Sequence, residues 1–167
     1  KLKDGVVLNS AVICQEHREL LLMSDIGRIL RLPVNETTLP LMGRLAQGPM
    51  TMRRLPGEEL IGAVTPDHPQ LLLVSSGGGL VRINTSELRY GQRGDLGTMA
   101  VNMKNKTERL VGLSGWNDIN GIVTSKCRHG RLDPNSLDLV EPGADFSDQL
   151  SLQKDETVVE LISTIQS

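Results

Sequence analysis

The sequence contains very few aromatic residues. Tyr90, Trp116 and Phe146 are the only ones among 167 residues, so a buried core has to be built from Leu, Val, Ile and Met. Proteins that hold single-stranded nucleic acid without sequence preference stack successive bases on aromatic side chains. The composition therefore argues against that class of nucleic-acid binding.

Cysteines and long apolar runs are also scarce. Cys14 and Cys127 are far apart and have no Cys-x-x-Cys spacing, which predicts free, buried thiols in a reducing cytoplasm rather than a disulfide. No apolar run approaches the ~20 residues that a membrane helix needs, and no signal peptide is visible. We therefore predict a cytoplasmic protein without membrane contact. Because the chain does not begin with Met, we also expect it to be a fragment of a larger protein.

Charge is distributed unevenly along the chain. The net charge is −2, but residues 1–131 carry +5 and residues 132–167 carry −7. An average close to neutrality therefore conceals a basic part and an acidic part. The basic part permits binding to a polyanion, which the overall charge alone argues against.

A short pattern recurs 51 positions apart, in residues 20–32 and 71–83. In each copy an apolar run, a polar turn with glycine and a second apolar run follow one another, which predicts a β-hairpin. The second apolar run contains an arginine at the same position. The matched pairs are Ser24 with Ser75, Gly27 with Gly78, Arg31 with Arg82, and Leu32 with Ile83.

A fainter third copy begins near Gly121 and reaches Arg131. A period near fifty residues with about four short strands per unit is typical of propeller blades or a related radial array. We therefore predict an all-β, pinwheel-like or propeller-like array that occupies residues 1–167. Its blades are expected at about residues 11–66, 71–113 and 120–163.

Apolar runs outside the hairpins predict further strands. We expect strands at residues 11–14, 50–54, 60–64, 99–103 and 110–113. Residues 6–8 are either a strand of a preceding blade or a connector. Residues 133–151 are acidic and interpreted as a loop. Residues 157–165 form either a closing strand, which we favour, or a short terminal helix.

The hairpin pattern, Ser-x-x-Gly-x-x-x-Arg followed by Leu or Ile, and the loop with Arg93-Gly94-x-x-Gly97 identify a resemblance. The chain resembles the C-terminal β-pinwheel region of the A-type subunit of bacterial type IIA topoisomerases, meaning the A-type subunit of DNA gyrase or of topoisomerase IV. Gyrase carries a signature loop of the form Gln-Arg-Arg-Gly-Gly-Lys-Gly. Here residues 91–97 keep Arg93, Gly94 and Gly97 but have Asp95 and Leu96 in place of glycine and lysine. This difference from the gyrase loop leaves two alternatives, a topoisomerase IV-like subunit and a divergent subunit.

The resemblance implies a role in binding and bending duplex DNA and presenting it for strand passage. It also implies that the cleavage tyrosine, the ATP site and the catalytic metal lie outside this chain, so the chain itself is not expected to be an enzyme or to need a cofactor. The implied partners are double-stranded DNA, the ATPase subunit, and the catalytic core of the parent protein. The alternative is a propeller-like protein-interaction module whose acidic third unit contacts a partner.

Basic residues that recur at blade period, or lie in loops beside them, are the candidates for DNA phosphate contacts. For Arg31 and Arg82, the structural alternative is an arginine that covers the core edge or pairs with a local carboxylate such as Glu36 or Glu87. Arg131 would be the third copy of this position. The candidate DNA-binding residues are Arg28, Arg31, Arg44, Arg53, Arg54, Arg82, Arg89, Arg93, Lys104 and Lys106.

Other patterns do not predict catalytic or ligand sites. Gly77-Gly78-Gly79 is not followed by Lys-Ser/Thr, so a nucleotide-binding loop is not expected. Cys127 and His129 have no second pair at ligand spacing, which argues against a metal site. The acidic residues after position 131, including Asp145, Asp148, Asp155 and Glu156, are expected to repel a passing duplex. The alternative is that these acids only keep the third unit soluble.

Overall fold

The computed structural model describes residues 5–66, 69–115, 119–148 and 150–164, and strands dominate these ranges. The predicted all-β class is confirmed, and the helical elements in the described part are single turns at Thr85–Glu87 and Pro134–Ser136. None of the helices there is long and apolar enough to cross a membrane. The strands are β1 (Glu19–Ser24), β2 (Arg28–Pro33), β3 (Leu60–Val64), β4 (Gln70–Ser75), β5 (Gly79–Asn84), β6 (Thr98–Met99), β7 (Val101–Asn102), β8 (Leu110–Gly115), β9 (Ile119–Thr124), β10 (His129–Leu132), β11 (Leu139–Val140), β12 (Ala144–Asp145), β13 (Ser147–Asp148) and β14 (Val158–Thr164).

Three units share one plan, an antiparallel hairpin with a third strand beside its first strand. Unit 1 (residues 19–64) has the order β3-β1-β2, unit 2 (70–115) has β8-β4-β5, and unit 3 (119–164) has β14-β9-β10. The hairpin turns need a positive φ, which Gly27 and Gly78 adopt at 93° and 86°. Cys127 takes the same place in unit 3 with φ 57°. The predicted hairpins of the first two units are confirmed.

The outer edge of each hairpin in units 1 and 2 is covered by the following unit. Strand β6 of unit 2 pairs with β2 of unit 1, and β13 of unit 3 pairs with β5 of unit 2. In addition, β11 runs parallel to β5, while β12 runs parallel to β7. Each of these sheets is therefore completed by a segment donated from the next unit.

The central strands of units 1 and 2, β1 and β4, are buried on both faces, which explains their continuous apolar sequence. Alternate side chains of a strand point to opposite faces, so Leu71 and Leu73 pack into the core between units 1 and 2. Leu72 and Val74 pack into the core between units 2 and 3. All four are 0% exposed, and each such side chain contributes about 1.5–3 kcal/mol of burial free energy.

Two predicted strands are absent, and a third is interrupted. Residues 11–14 and 50–54 have no strand. In the second range, Thr51 O accepts from Gly94 N and Arg53 N donates to Asp95 O, so this backbone bonds to unit 2 without forming a ladder. The run at residues 99–103 breaks at Ala100, whose N donates to Gly27 O at 2.8 Å.

Residues 133–151 were expected to be a loop, and that prediction is wrong. They contain a 3-10 turn and strands β11, β12 and β13. These strands have two residues each and pair with unit 2, so no local alternation of apolar residues could indicate them. The expected closing strand is present as β14.

The cysteines are free as predicted, but they are exposed instead of buried. Cys14 lies in an extended segment outside the described strands, and Cys127 occupies a tight hairpin turn. A turn position places the side chain outside the sheet, where the core cannot cover it.

Candidate nucleic-acid interface

Arg31 joins unit 1 to unit 2 through hydrogen bonds to the backbone. Its Nη1 donates to Leu88 O at 2.7 Å and to Thr85 O at 2.9 Å. Its Nε and Nη2 donate to the Glu19 carboxylate at 3.0 and 2.6 Å, and its guanidinium lies 4.2 Å from the centre of the Tyr90 ring. The side chain is only 11% exposed, so its donors face protein instead of solvent.

Arg82 occupies the same place between units 2 and 3. Its Nη1 donates to Leu137 O at 3.0 Å, and its Nε and Nη2 donate to Gln70 Oε1 at 3.0 and 2.8 Å. The recurrence of arginine at this position is therefore matched by a recurrent contact with the backbone of the next unit. This geometry favours the structural alternative for both arginines, although the partners of Arg31 and Arg82 are Glu19 and Gln70 instead of Glu36 and Glu87.

The ion pair around Arg31 shifts the acidity of its members. Hydrogen bonds from Arg31 lower the pKa of Glu19 below its ordinary value, and the hydrogen bond from Tyr90 acts in the same direction. The pKa of Tyr90 is raised, first by its hydrogen bond to the Glu19 carboxylate and then by burial. Arg31 and Glu19 therefore form a charged pair in unit 1, and this pair binds Tyr90 and the Leu88 carbonyl of unit 2.

Arg28 and Arg54 are also paired within the protein. Arg28 Nε lies 3.8 Å from Glu58 Oε1, and the Arg28 side chain is 13% exposed. Arg54 Nη1 lies 2.7 Å from Glu59 Oε2 at a more exposed site. Pairing with a carboxylate reduces the positive potential that either arginine offers to a polyanion.

Arg53 and Arg89 line one cleft of about 300 Å³ between β2 and residues 91–98. Both are exposed, as is Arg93 in the adjacent turn. Within the described ranges, no carboxylate forms an ion pair with any of these three. The first cleft therefore places guanidinium groups that have no ion-pair partner along one side of the boundary between units 1 and 2. One carboxylate, that of Asp95, lies in the same lining and accepts from Gln92 N at 2.8 Å.

The loop there approaches unit 1 closely because residue 97 is glycine. Gly97 has φ +79°, and a Cβ at this position would lie 2.6 Å from Ile29 O. A side chain at residue 97 would push the loop away from β2. The glycine of the signature pattern thus serves the packing that forms the first cleft.

A second cleft, of about 520 Å³, lies beside the hairpin turn of unit 1 and is lined by Lys104, Lys106 and Arg109. Lys106 is exposed, Lys104 pairs with Asp148, and Arg109 Nε lies 3.1 Å from Asp25 Oδ2. The repeat pattern did not indicate Arg109, because the corresponding residues of units 1 and 3, Glu59 and Thr157, are not basic. Arg44 lies apart from the linings of both clefts, in the exposed segment 41–50.

Exposed carboxylates follow in unit 3. Asp138, Glu141, Asp145 and Asp148 are exposed as expected. Glu156 is not part of this surface, because its side chain is 0% exposed and its oxygens accept from Thr124 Oγ1 at 2.5 Å and from Arg128 Nη1 at 2.7 Å. These hydrogen bonds, that from Thr124 above all, lower its pKa. The expectation that Glu156 repels a duplex is therefore wrong.

The glycine run at residues 77–79 has a structural role in the hairpin turn of unit 2. Gly79 N donates to Ser75 Oγ at 2.9 Å inside the hairpin turn, and a Cβ at Gly77 would lie 2.7 Å from Glu108 Oε1. The glycine run is therefore packed against protein. Across the described ranges, no group of three or more His, Cys, Asp and Glu side chains could hold a metal ion.

Comparisons with known proteins agree on one relationship. The model of the DNA gyrase C-terminal domain, β-propeller, matches residues 18–67 and 69–115. The DNA gyrase A protein of Mycolicibacterium smegmatis is 33% identical over 113 residues, which is 66% of this chain and 13% of that protein. The A-type protein of DNA topoisomerase 4 from Synechocystis is 29% identical over 128 residues, 70% of this chain and 14% of that protein. The chain thus spans roughly an eighth of the length of these relatives.

Solved structures agree on the fold. A DNA gyrase A C-terminal domain superposes with a TM-score of 0.83 at 21% identity, covering 99% of this chain and 57% of that one. The E. coli ParC C-terminal domain superposes with a TM-score of 0.67 at 18% identity, covering 98% and 68% of the two chains.

Proposed function

The chain belongs to the family of DNA gyrase C-terminal domains with the β-propeller fold, and from this premise we propose that it binds and bends duplex DNA. The contact surface is the basic side of the boundary between units 1 and 2. It comprises the first cleft with Arg53 and Arg89, the adjacent Arg93, and the exposed Lys106 of the second cleft. Lys104 and Arg109, which also line the second cleft, are paired with Asp148 and Asp25 and are left out.

One observation carries the proposal, namely that exposed guanidinium groups without carboxylate partners gather beside one cleft. Arg53 and Arg89 line it and Arg93 lies in the next turn. Exposed arginines donate to phosphate oxygens without reading bases. Arg31 and Arg82 are left out of the contact surface because their donors already bind protein.

DNA leaves the protein surface at unit 3 in this proposal. The exposed acids of segment 138–148 lie within the same array, and like charges repel within roughly 10 Å, the Debye length at moderate salt. Contact with two units bends a duplex less than a continuous basic ring would. The proposed wrapping is therefore partial.

The proposal extends to the longer protein of which such a domain is part. There the domain acts in the cytoplasm beside the ATPase partner and the catalytic core of an A-type topoisomerase subunit, and it presents a duplex for strand passage. Cleavage and ATP hydrolysis belong to the other domains. The similarity of this chain to the A-type proteins of gyrase and topoisomerase 4 supports this extension.

Titration of a labelled duplex at several salt concentrations tests the proposal. We expect sequence-tolerant binding whose logarithmic salt slope is about −0.9 per neutralised phosphate. Replacing Arg53, Arg89 and Arg93 by alanine should weaken binding ~10- to 100-fold at low salt and reduce the slope by about 2.7.

The control removes the same number of charges from unit 3, with Lys126→Ala, Arg131→Ala and Lys154→Ala. It should leave affinity within about threefold of the unmodified chain, because these residues lie away from the clefts. Equal losses in both variants would mean that net charge, and not the first cleft, governs binding. Binding that is insensitive to salt would contradict phosphate contact altogether.

The acidic surface favours a second candidate function, a site for a basic protein partner. Segment 138–148 carries a net charge of −4, and its acids are exposed. A chain that fails to bind duplex DNA at low salt but retains a basic polypeptide would support this role.

A further inference from the structure

The second cleft has an apolar floor as well as basic residues at its rim. Its lining includes Ile26 from the hairpin turn of unit 1, together with Met99 and Met103 of unit 2. Met99 is 44% exposed, and Ile26 and Met103 are half-buried. Both sides of the cleft belong to this chain, and its volume of about 520 Å³ is in the range of ligand pockets. An exposed apolar surface with a polar rim is typical of interaction sites.

The corresponding place at the boundary between units 2 and 3 has no such floor. The position of Ile26 is occupied in unit 2 by Gly77, where a Cβ would lie 2.7 Å from Glu108 Oε1. The position of Met99 is occupied in unit 3 by Asp148. The apolar floor is therefore a property of the first boundary and not of the repeated fold.

The rim of the second cleft attracts carboxylates. Lys104 and Arg109 pair with Asp148 and Asp25, so each of them already binds an acidic side chain of this chain. Lys106 is exposed, and within the described ranges no carboxylate forms an ion pair with it. One cation of the rim is therefore available to an acidic ligand.

Asn105 supplies a hydrogen-bond donor in the same lining. Its Oδ1 accepts from Thr107 N at 3.0 Å and from Glu108 N at 2.9 Å, and these bonds hold the amide in place. In the described part of the chain, no acceptor bonds to its Nδ2. This nitrogen can therefore donate to a peptide carbonyl, a group that a hydrocarbon chain lacks.

We propose that the second cleft binds an acidic peptide segment of another protein, in which large apolar side chains lie beside Asp or Glu. The floor formed by Ile26, Met99 and Met103 packs against an apolar side chain of the peptide. Lys106 pairs with a carboxylate, and Asn105 Nδ2 donates to a backbone carbonyl. Methionine side chains are flexible and adapt to apolar partners of different shapes.

The shape of the floor favours a peptide over duplex DNA. An apolar side chain that enters between base pairs has to protrude from the protein, whereas these side chains line a cleft. The peptide site therefore shares only Lys106 with the proposed DNA contact surface.

Fluorescence anisotropy with a labelled peptide, Ser-Asp-Leu-Asp-Phe-Asp-Leu-Ser, tests the proposal. We expect a Kd of the order of 10–100 µM. Two matched peptides, one with Ala in place of Leu and Phe and one with Lys in place of Asp, should bind at least ~10-fold more weakly. Equal binding by either matched peptide would overturn the proposal, because the apolar floor or the basic rim would then play no part.

Substitutions in the protein test the same contacts. Ile26→Gly with Met99→Asp installs the residues of the second boundary and should weaken peptide binding at least ~10-fold. Lys106→Ala should weaken it ~3-fold at low salt and reduce its salt dependence. Val12→Gly with Met42→Asp changes exposed apolar residues outside the cleft and is the matched control, which should leave peptide affinity unchanged. Equal weakening by this control would contradict binding in the second cleft.

Methyl signals of ¹³C-labelled methionine locate the peptide on the unmodified chain. The Met99 and Met103 signals should shift as peptide is added, whereas those of Met42 and Met50, in the exposed segment 41–50, should not. No shift up to about 1 mM peptide would overturn the proposal. If decanoate shifts the Met99 signal and the peptide does not, the cleft binds a small amphiphile and the proposal is wrong.

Titration of duplex DNA separates this inference from the proposed function. The variant with Ile26→Gly and Met99→Asp should bind duplex within about threefold of the unmodified chain, because Arg53, Arg89 and Arg93 are unchanged. An unmodified chain that binds the peptide but no duplex supports the peptide site and rejects the DNA contact. One that binds duplex but not the peptide rejects the peptide site alone.

Discussion

The boundary between units 1 and 2 and the boundary between units 2 and 3 have the same backbone plan. In each, an arginine donates to a leucine carbonyl of the next unit. In each, the backbone N–H of a glycine with positive φ donates to a carbonyl of the preceding unit. Gly94, at 92°, donates to Thr51 O, and Gly143, at 93°, donates to Ala100 O. The hydrogen-bond scaffold is therefore repeated.

Charge distinguishes the two boundaries. Residues 89–99 carry a net charge of +1, whereas residues 138–148 carry −4. Arg89 of the first corresponds to Asp138 of the second, and Gln92 corresponds to Glu141. Exposed side chains can differ with little effect on folding, so one scaffold carries two surfaces of opposite charge. In the proposed function, charge and not backbone structure therefore distinguishes the two boundaries.

Removal of the buried leucine whose carbonyl accepts from the arginine at each boundary should have the largest effect. Leu88 is 1% exposed in the first core and Leu137 is 5% exposed in the second. Leu88→Ala and Leu137→Ala should each lower the free energy of unfolding by about 2–5 kcal/mol, measured in urea. If one change proves nearly neutral, the corresponding boundary is not part of the cooperative core.

Arginine replacement should separate the two boundaries. Arg31→Ala leaves the Glu19 carboxylate, 28% exposed, without its ionic partner, whereas Arg82→Ala leaves the neutral amide of Gln70. We expect losses of about 2–3 and about 1–2 kcal/mol in unfolding free energy, respectively. Equal losses would mean that the carbonyl contact alone matters. Neither change should weaken DNA binding more than about threefold, provided that the variant is folded.

The hairpins and cores were predictable from sequence because they depend on local patterns. Two apolar runs and the glycine turn between them are visible in residues 20–32 and 71–83. The donated strands of unit 3 were not predictable, because two-residue strands such as β11 and β13 form only where another unit supplies an edge. A further signal was present but unused: Glu58, Glu108 and Glu156 recur at similar spacing and are all buried.

The candidate site was predictable only in part. Sequence identifies Arg31 and Arg53 equally as basic residues beside apolar runs. Their environments differ, because Arg31 faces the next unit while Arg53 faces a cleft. Whether the donors of an arginine are already occupied depends on contacts more than fifty residues away in sequence, and no local pattern records them.

The pH dependence of stability provides a smaller difference between the boundaries. Arg31 lowers the pKa of Glu19 in the folded state, so this carboxylate stabilises the fold above its ordinary pKa of about 4.5, and the contribution is lost as pH falls through the folded value. Glu19→Gln reproduces the amide of the second boundary. Between about pH 6 and pH 3 the variant should lose less unfolding free energy than the unmodified chain. Equal losses would assign the acid sensitivity to other carboxylates, such as Glu156.

The smallest expected effect is on DNA affinity, when the second boundary is made to resemble the first in charge. Asp138→Asn, Glu141→Gln and Asp145→Asn remove three exposed acids from segment 138–148. If these acids limit the DNA path, affinity should rise about two- to fivefold at low salt. The bend should also increase, as measured by energy transfer between labelled ends of the duplex.

A matched control decides whether position or net charge is responsible. Asp133→Asn, Asp155→Asn and Glu160→Gln remove the same number of exposed acids from unit 3 outside that segment. If both triple variants bind DNA equally tightly and bend it equally, the charge of unit 3 acts as a whole. Exposed charges more than about 10 Å from the duplex are screened by salt. If only the variant with the changes in segment 138–148 increases the bend, we infer that the duplex extends across the second boundary when those carboxylates are removed. A first variant unchanged in both affinity and bend would mean that the acidic surface does not set where DNA leaves the protein.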